Sequence, residues 1–188
     1  VETATLEANA GEIDLRLRAL RREGRLLAGQ YTARSRPRLD VQHNHATLQM
    51  RRGETWLLSL ADWEVGLAQD VAWQLLLSTH LGEINVDLRA LEIDEARVAS
   101  GIGDIRLVCP DRPAGPVWVR STLGNIKVEV PDEMQAAVRV HKTPLTRVSI
   151  DERFQEAEPG LWVTAGYEDA EEPLSVEVVG VLGDVSVI

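Results

Sequence analysis

Apolar and polar residues alternate with period two along most of this chain. The pattern begins at Ala4, Leu6 and Ala8 and is clear at Ile13, Leu15 and Leu17, with Asp14, Arg16 and Arg18 between them. A period of two puts successive side chains on opposite faces, so these runs predict strands with one buried and one solvated side. Gly24 and Gly29 punctuate the run from Arg25 to Tyr31, and Pro37 marks another break. Val41, His43, His45, Thr47 and Leu48 to Met50 suggest a further strand, closed by an Arg51-Arg52-Gly53 turn. Trp56, Leu58 and Leu60 then resume the alternation.

From Val71 onward a longer period is superimposed. Gly82-Glu83-Ile84-Asn85-Val86, Gly103-Asp104-Ile105-Arg106-Leu107 and Gly124-Asn125-Ile126-Lys127-Val128 align without gaps, 21 residues apart. A copy without the glycine follows at Leu145 to Ile150, one residue out of step, and the chain closes on Gly183-Asp184-Val185-Ser186-Val187. A second alternating run precedes each unit, such as Trp73, Leu75 and Leu77, or Val117, Val119 and Ser121. Units of two short strands bury their apolar side only by stacking on neighbours, which predicts the coils of a β-helix. The glycine meets a need for positive φ or close backbone approach at a corner, and Pro110 and Pro131 stop the strand after it.

The expected architecture is therefore all-β: a single-stranded, right-handed β-helix-like solenoid with ~21-residue rungs. One domain spans 1–188, with less regular strands over 1–55 and repeat-bearing rungs over 56–188. A β-sandwich is the competing fold, although constant spacing is no requirement of a sandwich. The run Val185 to Ile188 has no polar cap after it, which predicts an uncovered last rung and a homo-oligomer formed through end rungs.

The segments Leu81 to Leu88, Ser100 to Leu107 with Pro110, and Leu123 to Pro131 resemble the C-terminal domain of LiaF-type proteins. The tail is similar too, with Gly166-Tyr167, Ala170, Leu174 to Val179 and the closing Gly-x-Val-x-Val. That domain and its relatives form the toastrack-like β-helix group of bacterial cell-envelope stress proteins. The resemblance covers Trp56 to Ile188 well and Val1 to Gly53 loosely. It implies a non-enzymatic module that senses, scaffolds or binds at the envelope, with an envelope or membrane protein as partner. It also implies a tether to the cell membrane through helices ahead of the domain, and the opening Val1 suggests such an upstream segment. The family supplies no catalytic residues to carry over.

Charge narrows the partners. Twenty basic and thirty acidic side chains give a net charge of −10, which repels nucleic acid and anionic lipid unless basic residues gather on one face. The basic cluster is Arg16, Arg18, Arg21, Arg22 and Arg25, followed by a stretch from Arg34 to Arg38. It reads as a solvated strand-and-turn surface, and nucleic acid is not an expected partner. Cys109 is alone, which excludes an intrachain disulfide and a multi-cysteine metal site, and its neighbours Leu107 and Val108 favour a small buried role. No stretch approaches the roughly 20 apolar residues that span a bilayer.

Stacking places the residue after each glycine in a ladder of Glu83, Asp104, Asn125 and Asp184. Stacked carboxylates can hold a hard cation or act as an acid/base pair, and they equally suit turns and outward strand positions. Beside them Asn85, Arg106, Lys127 and Ser186 form a second outward column, whose cations are flanked by Asp87, Asp104 and Glu129. His43 and His45 would share a strand face with a spacing able to chelate a metal, but the run lacks a third ligand. His80 and His141 are isolated. There is no Gly-x-Ser-x-Gly elbow, no phosphate-cradling Gly-x-x-x-x-Gly-Lys loop and no cofactor motif. Trp56, Trp63, Trp73, Trp118 and Trp162 could line a sugar-binding surface, with Trp73 and Trp118 read as interior. A carbohydrate-active or carbohydrate-binding β-helix, and a self-assembling scaffold, are thus the alternative functions.

Overall fold

The structure is a computed structural model that describes residues 1–21, 24–31, 35–52, 62–112 and 115–188. The alternation over Trp56, Leu58 and Leu60, and the residues Arg22, Arg34 and Gly53, lie outside the described residues.

In chain order, β1 (Thr3–Asn9) and β2 (Leu15–Ala19) are followed by β3 (Leu27–Gln30), β4 (Arg38–Gln42), β5 (His45–Arg51) and β6 (Trp63–Leu67). The repeats supply β7 (Ala72–Leu81) and β8 (Ile84–Asp87), β9 (Glu92–Ile102) and β10 (Ile105–Val108), and β11 (Val117–Leu123) and β12 (Ile126–Glu129). Then come β13 (Ala136–Lys142), β14 (Thr146–Ile150), β15 (Phe154–Glu158), β16 (Leu161–Thr164) and the long β17 (Leu174–Val187). Among the described residues these strands make one open 17-stranded sheet, coiled into a long face and a short face. The fold is the all-β, β-helix-like solenoid that the period implies.

Alternation dictates what goes inside. On the long face Leu48, Leu6, Leu75, Ala96, Val117, Val176 and Val138 stack into one inward column. On the short face Trp63, Leu15, Ile84, Ile105, Ile126 and Val185 form its counterpart. All of these side chains are buried. Each buried aliphatic side chain contributes about 1.5–3 kcal/mol, so the columns between the two faces are the main source of stability.

Strand order departs from chain order at both ends of the stack. The long face runs β4-β5-β1-β7-β9-β11-β17-β13-β16-β15. The short face runs β3-β6-β2-β8-β10-β12-β17-β14. The coil of β1 and β2 is inserted between the β5/β6 and β7/β8 coils. That of β17 is inserted between the β11/β12 and β13/β14 coils. Among the described residues pairing is parallel through the stack and antiparallel only at the ends, where β4 joins β5, β3 joins β6, and β16 joins β13 and β15.

This order overturns the expected uncovered last rung. Val185 and Val187 are buried because β17 has neighbours on both edges, β12 on one side and β14 on the other. The exposed apolar end that suggested end-to-end association is absent from Val185 to Val187. Antiparallel β15 and β16 close the long face there instead, and a reversed strand is one way of ending a parallel ladder.

The corner between the faces explains the repeated glycine. Gly82, Gly103, Gly124 and Gly183 have φ of 152°, 143°, 148° and 134°. A Cβ on Gly103 would lie 2.0 Å from the Gly82 carbonyl oxygen, and one on Gly124 would lie 2.2 Å from that of Gly103. The stacked carbonyls occupy the space a side chain needs, so only glycine fits. Three residues before Gly82, Gly103 and Gly124 a buried hydroxyl, of Thr79, Ser100 and Ser121, closes the same corner. Ser100 Oγ donates to the Gly82 carbonyl and Ser121 Oγ to that of Gly103, both at 3.3 Å. In the copy without glycine, Thr146 pairs with Gly183, and its hydroxyl donates to the Gly180 carbonyl at 3.0 Å.

Candidate functional site

The predicted ladder exists, and its chemistry is that of a turn. The register stacks Asp14, Glu83, Asp104, Asn125 and Asp184 in one column at the start of the short face. Asp14 Oδ1 accepts the backbone N–H of Glu83 at 2.8 Å. Asp104 Oδ1 accepts that of Asn125 at 2.7 Å, and Asn125 Oδ1 that of Asp184 at 3.0 Å. Each short polar side chain thus satisfies a corner amide of the next coil. Arg147 ends the column, 3.4 Å from Asp184. Among the described residues no group of three or more His, Cys, Asp or Glu is placed to hold a metal ion.

The second column, Asn85, Arg106, Lys127 and Ser186, is also in register. Glu129 bridges its two cations, 2.7 Å from Arg106 and 3.3 Å from Lys127. His43 and His45 do not share a strand face. His43 sits in the hairpin turn with φ of 56°, while both ring nitrogens of His45 are engaged, Nδ1 by Thr3 at 2.8 Å and Nε2 by Thr5 at 3.2 Å. A left-handed turn residue rotates its side chain out of the strand alternation, which is why the chelating pair does not form. Cys109 is buried between Leu88 and Val130 in the opposite corner, where burial pushes its thiol up to about 12. A thiol so disposed is a packing residue.

The tryptophans scatter. Trp63 and Trp73 are wholly inside the coil, Trp162 is half-buried on the end strand β16, and Trp56 lies outside the described residues. Trp118 was expected inside and instead faces outward, because Val117 and Val119 take the inward positions of β11. The Arg97 guanidinium stands 4.7 Å from its ring centroid, and its indole N–H donates to Glu177 at 3.0 Å. Glu177 in turn meets His141 at 2.9 Å. A groove of about 540 Å³ opens beside it over Leu76, Ala99 and Val179. One aromatic ring, covered on one face by arginine, is not the converging cleft of tryptophans and carboxylates that sugar cleavage requires.

Alternation conceals one surface. Leu81, Ile102, Leu123 and Leu182, each immediately before a corner glycine, stack in register on the outside of the long face. Leu145, which precedes the Thr146–Gly183 pair, extends the row. These five are between 44% and 69% exposed. At one coil spacing per residue they form an aliphatic stripe about 19 Å long. Their phase matches the inward Leu75 and Leu77, so period-two reading places Leu81 inside. The corner rotates it out, leaving Thr79 as the last inward residue. The recurrence of Leu or Ile before each glycine was the available signal.

Residues 3–129 match the family model described as the N-terminal domain of toast_rack, DUF2154. No curated protein matches the chain. Among solved structures, the chain is similar to a candidate cell adhesion protein from Clostridium sporogenes ATCC 15579, with a TM-score of 0.84 at 18% identity. That similarity covers 99% of this chain and 92% of the other. At this identity it is a likeness of fold.

Proposed function

This chain belongs to the toast_rack N-terminal domain family, and from that premise we propose that it is the non-enzymatic binding or scaffold module of a bacterial membrane-associated envelope protein. The aliphatic stripe carries the reading. Large apolar side chains exposed at five successive steps form a contiguous surface that gains free energy when covered, at about 25 cal/mol per Å². The ladder of Asp14, Glu83, Asp104 and Asp184 runs beside it, so its occupant is a basic amphipathic segment of a partner protein at the envelope. Stress sensing, in this reading, is the gain or loss of that segment. The cell-adhesion description of the Clostridium relative supports a binding role.

The test uses two amphipathic peptides, one of leucine and lysine and one of leucine and glutamate, titrated against the protein by calorimetry. The reading expects the lysine peptide alone to bind, and Leu123→Ser with Leu182→Ser to abolish that binding without lowering the melting temperature. Equal affinity for both peptides, or binding indifferent to the stripe variants, overturns it. Fractionation of cells that make the native protein tests location: the membrane fraction is expected, and a wholly soluble protein contradicts it.

A further inference from the structure

The arginine run of the N-terminal segment is folded into something more specific than a solvated strand. Leu15 and Leu17 point inward from β2, so Arg16 and Arg18 point outward on the short face. The chain then leaves β2, and the returning strand β3 pairs with β6 at the edge of the same face. Both ends of the intervening segment are pinned. Leu20 N–H donates to the Leu67 carbonyl at 2.7 Å, Ala68 N–H to that of Leu26 at 3.0 Å, and the Gln69 amide to that of Leu20 at 3.0 Å. Arg21 and Arg25 are thereby brought to the same surface as Arg16 and Arg18. The adjoining coils add Arg89 and Arg106.

Together these six arginines line a cleft of about 1270 Å³. Its floor is kept low by small residues, Ala19, Ala28, Gly29 and Gly66 among them. The three carboxylates in its lining are already engaged. Glu64 lies 3.7 Å from Arg16, Asp87 is paired with Arg89, and Glu129 is 2.7 Å from Arg106. The hydrogen bond from Arg89 holds the Asp87 carboxyl below its ordinary range, so that pair stays ionised. Arg18, Arg21 and Arg25 have no carboxylate partner among the described residues, in a protein whose net charge is −10. Like charges converging in one cleft raise its potential, and its three lining carboxylates leave three of the six arginines uncompensated.

We infer that this cleft is a binding site for a polyvalent phosphate anion, held by Arg18, Arg21 and Arg25 against the paired rim of Arg16, Arg89 and Arg106. Guanidinium groups match phosphate oxygens in two parallel hydrogen bonds, and several together favour a ligand with more than one phosphoryl charge. The cleft is larger than a single orthophosphate needs, which fits a pyrophosphate, a triphosphate chain or a phosphorylated headgroup. The inference does not depend on the aliphatic stripe.

Isothermal titration of the intact protein with sodium tripolyphosphate in 150 mM salt is the test, alongside co-sedimentation with vesicles containing phosphatidic acid, whose headgroup is a phosphomonoester. Tripolyphosphate binding marks a soluble phosphate ligand, vesicle binding alone marks a lipid headgroup, and either supports the site. Arg18→Gln, Arg21→Gln and Arg25→Gln are exposed substitutions, each expected to weaken binding about 10-fold with an unchanged melting temperature. Arg→Lys at the same positions should retain part of the affinity. Arg147→Gln, outside the cleft, should leave it intact. Absence of binding to both probes, or a triple variant that binds as tightly as the parent, overturns the assignment.

Discussion

The middle of the solenoid and its two ends obey different rules of stacking. Between β7 and β12 each coil lies on the one before it in sequence, and equivalent residues are 21 apart, as Asp104 and Asn125 are. At the ends the same contacts join residues far apart: Asp14 meets Glu83 across 69 positions and Asn125 meets Asp184 across 59. The inward columns and the side-chain to corner-amide hydrogen bonds are alike in both regions, although the corner glycine is replaced by Thr146 in the β14 coil. Connectivity is the chief difference, so the inserted coils need no special residues, and each has strand partners on both sides. A repeat protein stacked in chain order gains neighbours one at a time. Here the outer coils at either end rest on strands brought from elsewhere in the chain.

Removing β17 gives the largest effect. Deleting residues 174–188 takes away the strand between β11 and β13 and strips the β13/β14 coil of its parallel neighbour. The expected result is loss of the cooperative thermal transition, where trimming a terminal coil stacked in chain order would only lower the midpoint. Substituting a middle corner comes next. Gly103→Val forces a side chain onto the Gly82 carbonyl and is expected to cost more than about 3 kcal/mol in urea denaturation. Thr146→Gly, at the end coil where the corner already tolerates a side chain, should cost about 1–2 kcal/mol, mainly for the lost hydroxyl contact.

A pH effect is expected from the middle of the stack. The Cys109 thiol is raised by burial, so the folded state retains a proton that the unfolded chain releases above its ordinary thiol pKa. The contribution is complete below about pH 8.5 and falls by about 1.4 kcal/mol per unit as pH rises toward the folded value. Cys109→Ala should lack that slope in chemical denaturation between pH 8.5 and 10.5. The smallest effect compares two buried indoles. Trp73 donates to the Ala68 carbonyl at 2.9 Å, whereas the Trp63 indole N–H, in the end coil, has no partner among the described residues. Trp63→Phe should therefore destabilise by about 1 kcal/mol less than Trp73→Phe, read from urea midpoints.

The same contrast explains what could be seen in the sequence. The coils from Val71 to Pro131 were legible because consecutive stacking writes a fixed period into the chain, with Gly82, Gly103 and Gly124 marking each corner. The final Gly183-Asp184-Val185 unit was recognisable as a copy, yet its place in the stack was not, since a separation of 59 residues carries no period. Hence the mistaken expectation of an exposed end. Glu83, Asp104, Asn125 and Asp184 of the polar ladder were legible because each follows a repeat glycine, whereas Asp14, which follows Ile13, was not. The aliphatic stripe was hidden by a phase change at the corner, and the arginine cleft by the return of β3 along β6, a long-range pairing that local alternation does not encode. That His43 and His45 do not share a face was not legible, because His43 takes a left-handed turn position and the partners of His45, Thr3 and Thr5, lie 42 and 40 residues away.

Amide hydrogen exchange on the intact protein tests the interleaved ends most directly. First and last strands of a chain ordinarily fray and exchange early. Here β1 and β17 are hydrogen-bonded along both edges, and their amides from Thr5 to Ala8 and from Val176 to Val187 should be protected as strongly as those of β9. The edge strands β4 and β15, each paired on a single side, should exchange sooner. If β17 or β1 exchanges ahead of β4 and β15, the coils are stacked in some other order and the account fails.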